Sequence, residues 1–151
     1  MSSFEVADPK FAERVRESFI RQQLMKTLGA ALTRVEPGLI EIELHHSPKI
    51  TQQHGFIHAG AIASVLDSAC GYAAYTLMPA DAAVLSVEFK VNLLAPARGD
   101  RLTARAEVKR AGRNVTVCTA DAFSEEPEGA KLVATMLATM MCIRGRADLI
   151  G

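Results

Sequence analysis

The chain has 151 residues, 49% hydrophobic and 23% charged, an ordinary balance for one globular domain with its own core. Lys plus Arg and Asp plus Glu number 17 each, so no basic excess marks a nucleic acid or an anionic membrane surface as a partner. The first residues, MSSFEVADPKFAERVRESF, lack the apolar stretch of a signal peptide, and Cys70, Cys118 and Cys142 lie far apart inside apolar patterns, which points to reduced core thiols in a cytoplasmic protein.

In chain order, Asp8-Pro9 reads as a helix cap followed by proline at the first helical position. Phe11, Val15, Phe19, Leu24 and Leu28 then recur at helical spacing up to Gly29, so one amphipathic leading helix is expected. Residues 30–35 and 39–44 read as strands joined by Glu36-Pro37-Gly38, where Pro-Gly suits a type II turn. Ile40, Ile42 and Leu44 alternate with Glu41, Glu43 and His45, leaving one face wet. Gly55 breaks this pattern and Pro79 closes about 20 residues of Ala-rich helix that start near Ile57 or His58. A membrane span is excluded there, because the central Asp67 would cost about 2.5–3.5 kcal/mol and no basic anchors flank the segment.

Beyond the helix, Leu85, Val87, Phe89, Val91 and Leu93 alternate with Ser86, Glu88, Lys90 and Asn92 in a strand that stops at Ala95-Pro96. Strict alternation puts Ser86 on its polar face. Residues 102–109 alternate likewise, a turn at Ala111-Gly112 leads into 114–123, and a loop at 127–129 leads into 131–143. That last run is nearly all apolar and is expected to be buried on both faces, with Met136, Met140 and Met141 in the core or a dimer interface. The fold class expected is α+β: an N-terminal helical segment (residues 1–29) and one main domain (residues 30–151), in which a curved antiparallel sheet wraps a long helix.

The polar residues of the central segment are few. Between Phe56 and Leu66 they are His58 and Ser64, and Asp67 follows among apolar neighbours, where an ionised acid is costly unless it is paired or lines a cavity. The amides of His58, Ala59 and Gly60 would sit unsatisfied at the helix start and could hold a developing oxyanion. Ala59 and Asp67 are eight residues apart, hence roughly 12 Å along one helix. One reacting centre cannot touch both, so an active site using both requires a homodimer with sites between subunits.

Plainer readings exist for each residue: Asp67 facing solvent or an arginine, and Gln52 and His58 serving the turn and the cap. His54 and His58 are four apart but lack a third ligand of suitable spacing, so no metal is expected. Lys109, Arg110, Arg113 and Asn114 surround Gly112 and suit either phosphate binding or a solvated hairpin.

The pattern Gln52, Gly55, His58-Ala59-Gly60 opening a helix, Asp67 nine residues after the His, and the strand NLLAPA ending at Ala97 resembles the acyl-CoA thioesterases of the hotdog-fold superfamily, in particular the PaaI-like and 4-hydroxybenzoyl-CoA thioesterase-like group. The resemblance spans roughly residues 30–143. It implies hydrolysis of a small or medium acyl-CoA, or an aryl-CoA, to free acid and CoA, with no cofactor beyond the CoA of the substrate. A carrier-protein thioester is the alternative acyl source.

It further implies a homodimer, arranged as a dimer of dimers, in which the helix-start amide of one subunit meets the acid of the other. The Ala59 N–H would polarise the carbonyl, Gln52 would sit near the carbonyl or a water, and His58 and Gly60 would shape the helix start. Asp67 would be base or nucleophile, and Ser86 would help orient the acid or water. Arg110, Gly112, Arg113 and Asn114 would receive the CoA phosphates. Two residues depart from the family pattern: Ala59 replaces the first glycine of the usual pair, and Gln52 stands where many relatives carry Asn. The rival from another class is a non-catalytic module that binds acyl-CoA; a dehydratase of the same fold would carry its His in a Pro-rich loop not found here.

Overall fold

Six strands form one antiparallel sheet in the order β1-β2-β4-β5-β6-β3. The structure, a computed structural model, describes residues 4–149. Its elements are α1 (Phe11–Arg21), α2 (Gln23–Leu28), β1 (Ala30–Glu36), β2 (Leu39–His45), a 3-10 turn (Pro48–Ile50), α3 (Ala59–Tyr75), β3 (Ala83–Leu93), β4 (Arg101–Ala111), β5 (Val115–Glu126) and β6 (Gly129–Ile143). This is the α+β architecture expected, with the sheet curved over α3.

Alternation decides which strand residues meet the helix. Ile40, Ile42 and Leu44 of β2, Leu102, Ala104 and Ala106 of β4, Ala120 and Ala122 of β5, and Met136, Ala138 and Met140 of β6 are all buried. They pack with Ile62, Val65, Leu66, Ala69, Ala73 and Ala74 of α3 in a single core. Alanine on both sides lets helix and sheet backbones approach closely, which a 17-residue helix needs when four long strands curve around it. The three cysteines are free and buried; burial pushes the Cys118 thiol up to about 12 and raises Cys70 further, so both stay protonated. No helix among the described residues is long and apolar enough to cross a membrane.

The leading helix is not continuous. It breaks at Gln22, whose φ of −77° and ψ of 101° are extended, before α2 runs to Gly29 in the left-handed region. The break rotates the apolar face, so Val15, Phe19 and Met25 are buried while Leu24 is 51% exposed. At the N-terminus the cap is Lys10, without a side-chain bond, and Asp8 instead accepts the Lys10 N–H at 2.9 Å and pairs with Arg14 at 3.3 Å. Arg14 also donates to the carbonyls of Tyr75, Met78 and Pro79, satisfying orphan acceptors where α3 ends and fastening α1 to it.

The central helix is shorter than expected at both ends, covering Ala59–Tyr75. Strand β6 is buried on one face only: Leu137 is 52% exposed and Met141 is also open, because no described element covers the outer side of the sheet. Edge strand β3 is open along most of its length on both faces.

Candidate active site

The helix start is built by the loop of residues 46–58. His46 Nε2 contacts the Gly55 carbonyl at 2.9 Å, and Gly55 takes a φ of +84° that favours glycine. The Gln52 N–H donates to the Phe56 carbonyl (2.9 Å) and the Gly55 N–H to the Gln52 carbonyl (3.0 Å). Inside this turn the Gln52 side-chain oxygen accepts from the N–H groups of His54 and Phe56. Its NH2 group is thereby left as the side chain's remaining donor.

Three open amides were expected at this helix start, and two are used. The His58 N–H donates to the Ile50 carbonyl at 2.9 Å. His58 is the N-cap, and its Nδ1 accepts the Gly60 N–H at 2.8 Å, which puts the neutral ring's proton on Nε2. A Cβ at Gly60 would lie 3.1 Å from that nitrogen, so glycine there lets the ring fold back. The Ala59 N–H donates to none of the described residues. With Gln52, Phe56, Ile57, Leu94 and Pro96, Ala59 lines a cavity of about 380 Å³.

Halfway along α3, Asp67 is half-buried, and Ser86 Oγ donates to its Oδ1 at 2.7 Å. Strict alternation would aim Ser86 away from the helix. Instead the β3–β6 register pairs Ser86 with Met140 and Glu88 with Thr139, making Val87 an extra residue. This β-bulge reverses the phase of the strand, so Ser86 faces α3 together with Phe89 and Val91. Asp67 then stands between two recesses. One, about 490 Å³, reaches toward the helix start past Ser64 to Gly60, with Phe89 on its far side. The other, about 370 Å³, runs past Ser86 toward the end of α3. Both are bordered by Ser68 and Gln22, joined by a 2.7 Å hydrogen bond. Neither residue carried a recognisable signal, since Gln22 arrives only through the break between α1 and α2.

Within one subunit, therefore, Gln52, His58, Ala59 and Gly60 gather at the helix start, and Asp67 with Ser86 about 12 Å along the same helix. The Ala59 cavity does not include Asp67. Arg110 at the end of β4 and Gly112, Arg113 and Asn114 on the β4–β5 turn are exposed and border none of these three cavities. Gly112 has a local role: its N–H donates to the Val115 carbonyl at 2.9 Å, and a Cβ would sit 2.6 Å from that oxygen. Asn114 ties the turn to the end of β6, its carbonyl accepting from Cys142 N and its side chain from Arg144. Among the described residues no group of three or more His, Cys, Asp or Glu could hold a metal ion.

The profile of the Thioesterase superfamily matches residues 54–131, just over half the chain. A putative esterase of Halobacterium salinarum is 30% identical over 139 residues, covering 84% of this chain and 89% of its own length. The crystal structure of a thioesterase family protein from Silicibacter pomeroyi superposes with a TM-score of 0.88 at 51% identity, covering 89% of this chain and 99% of that one. The E. coli PaaI protein shares the fold, with a TM-score of 0.81 at 21% identity over 92% of this chain and 97% of its own. The open amide at the helix start, the serine-held acid further along and the curved sheet around them are thus set in a known framework: the chain belongs to the thioesterase superfamily, thioester hydrolases of the hotdog fold.

Proposed function

We propose that the protein hydrolyses the thioester of a small or medium acyl-CoA, or an aryl-CoA, in a site completed by two copies of the chain. The observation that carries this reading is the pairing of one open helix-start N–H, at Ala59, with one carboxylate held by a serine, at Asp67, on the same helix but too far apart for a single carbonyl. The helix of a second subunit, running antiparallel across a two-fold axis, brings the amide of one copy to the acid of the other. The carbonyl oxygen accepts from the Ala59 N–H while the Gln52 NH2 donates to it or to the attacking water. Asp67 either takes the proton of that water or itself attacks the carbonyl carbon. The C–S bond breaks, the acyl carbon gains an oxygen from water, and the thiol of CoA leaves carrying a proton.

Strand β3 supports this assembly, because its free edge and the exposed side chains of Val87 and Leu93 leave a long apolar strand for another copy to cover. The open outer face around Leu137, Met141 and Val115 supports a dimer of dimers. In such an assembly the β4–β5 turn of one subunit, with Arg110, Arg113 and Asn114, serves the CoA phosphates of its neighbour. Protonated, buried cysteines suit the reducing cytoplasm.

The test is release of free thiol from acetyl-, hexanoyl-, palmitoyl- and benzoyl-CoA by the protein and by Asp67→Ala. Turnover that falls more than about 100-fold in the variant supports the reading. No turnover of any acyl-CoA, with binding retained, would make the protein an acyl-CoA-binding module instead.

A further inference from the structure

Beyond Asp67 and Ser86, the recess of about 370 Å³ follows the face of α3 that carries Asp67, Gly71 and Tyr75 at i, i+4 and i+8. Gly71 gives it room. A Cβ there would meet nothing within 4 Å, and glycine inside a helix is less stable than alanine, so the helix gives up stability where this floor is open. Val84 and Leu85 of β3 and the Asp148 carboxylate, paired with Arg146, also line the recess, and the N-terminal helices form a side wall through Ser18 and Gln22.

This wall is polar. Gln22 Oε1 accepts the Ser68 hydroxyl at 2.7 Å, and its amide nitrogen bonds to none of the described residues. Ser18 Oγ and Tyr72 OH lie 3.1 Å apart and share one hydrogen bond, which leaves the proton of the accepting hydroxyl uncommitted. A plain hydrocarbon packed against this wall would strip water from these donors and leave them unsatisfied. An acyl group ending in a hydrogen-bond acceptor would satisfy them.

We propose that this recess is the acyl pocket and that it selects a short acyl group bearing a hydroxyl or carbonyl oxygen at its far end, bound by the Gln22 amide and the Ser18–Tyr72 hydroxyl pair. The inference rests on the thioesterase reading for the direction in which the acyl group enters, past Asp67. Gly71 sets the depth, and the break at Gln22 is what aims the amide inward. Selection of this kind is strong because a site built to hydrogen-bond a substrate oxygen discriminates against the analogue that lacks it.

The test uses two non-hydrolysable thioethers, S-hexyl-CoA and S-(6-hydroxyhexyl)-CoA, with dissociation constants measured by calorimetry on the wild-type protein, Gln22→Leu and Tyr72→Phe, beside turnover of the matching acyl-CoAs. The expected result is at least tenfold tighter binding of the hydroxylated ligand by the wild type, with the preference lost in Gln22→Leu and reduced in Tyr72→Phe. Equal or tighter binding of S-hexyl-CoA overturns the proposal, as does a hydroxyl preference that survives both substitutions. The wild-type ratio decides even if a variant does not fold. Turnover without hydroxyl preference would sink the pocket and keep the hydrolase; selective binding without turnover would do the reverse. Failure of both ligands to bind would overturn the pocket as well.

Discussion

Asp67 is tolerable in an otherwise apolar helix because Ser86 supplies a hydrogen bond and two recesses border its side chain, so it is not enclosed by apolar groups. A hydrogen bond to a charged group is worth about 1.5–3 kcal/mol, and holding Oδ1 leaves Oδ2 available for the role proposed for it. Ser86→Ala is expected to lower kcat about tenfold or more with little change in KM, measured on whichever acyl-CoA turns over best. An unchanged kcat would show that the serine does not position the acid. The type and spacing of Gln52, His58, Ala59 and Asp67 were legible in the sequence because helix starts and turns are local. The aim of Ser86 was not, since it depends on a bulge at Val87, an ordinary strand residue that does not advertise one. The same holds for the amide count: three N–H groups follow from helix geometry, but which one stays open depends on the Ile50 carbonyl taking the His58 N–H and the His58 ring taking that of Gly60.

At the scale of elements, α3 shows what its alanines are for. Ala73 is fully buried against the sheet, and leucine there keeps helix propensity nearly intact. Any loss then reports packing. Ala73→Leu is expected to lower unfolding stability by about 1–3 kcal/mol in urea melts, through overpacking; an unchanged midpoint would mean helix and sheet have slack between them. Strand positions and turns were read closely from alternation and Pro-Gly signals. The leading helix was not, because Gln22 is a good helix former and breaks the helix only where Ser68 and the end of α3 hold the two halves in place. The apolar run of β6 likewise gave the strand but not its open outer face, since hydrophobicity in a sequence does not say which partner, neighbouring element or second chain, will cover it.

At the scale of the whole molecule, the proposed two-subunit site gives the apolar edge strand and the separation of Ala59 from Asp67 one explanation, a site that neither subunit completes alone. The sharpest test separates the two halves of the site genetically. Asp67→Ala removes the acid. Ala59→Pro removes the open N–H while keeping the first helical position in a residue that favours it, and the extended backbone of His58 before it, φ −62° and ψ 139°, accepts a following proline. Each variant alone is expected to be inactive in thiol release. Co-expressed in equal amounts, they form mixed dimers in which one of two sites pairs an intact amide with an intact acid, so activity should return to about a quarter of wild type. Mixed dimers as inactive as either parent would contradict the shared site and mean that both groups act within one chain.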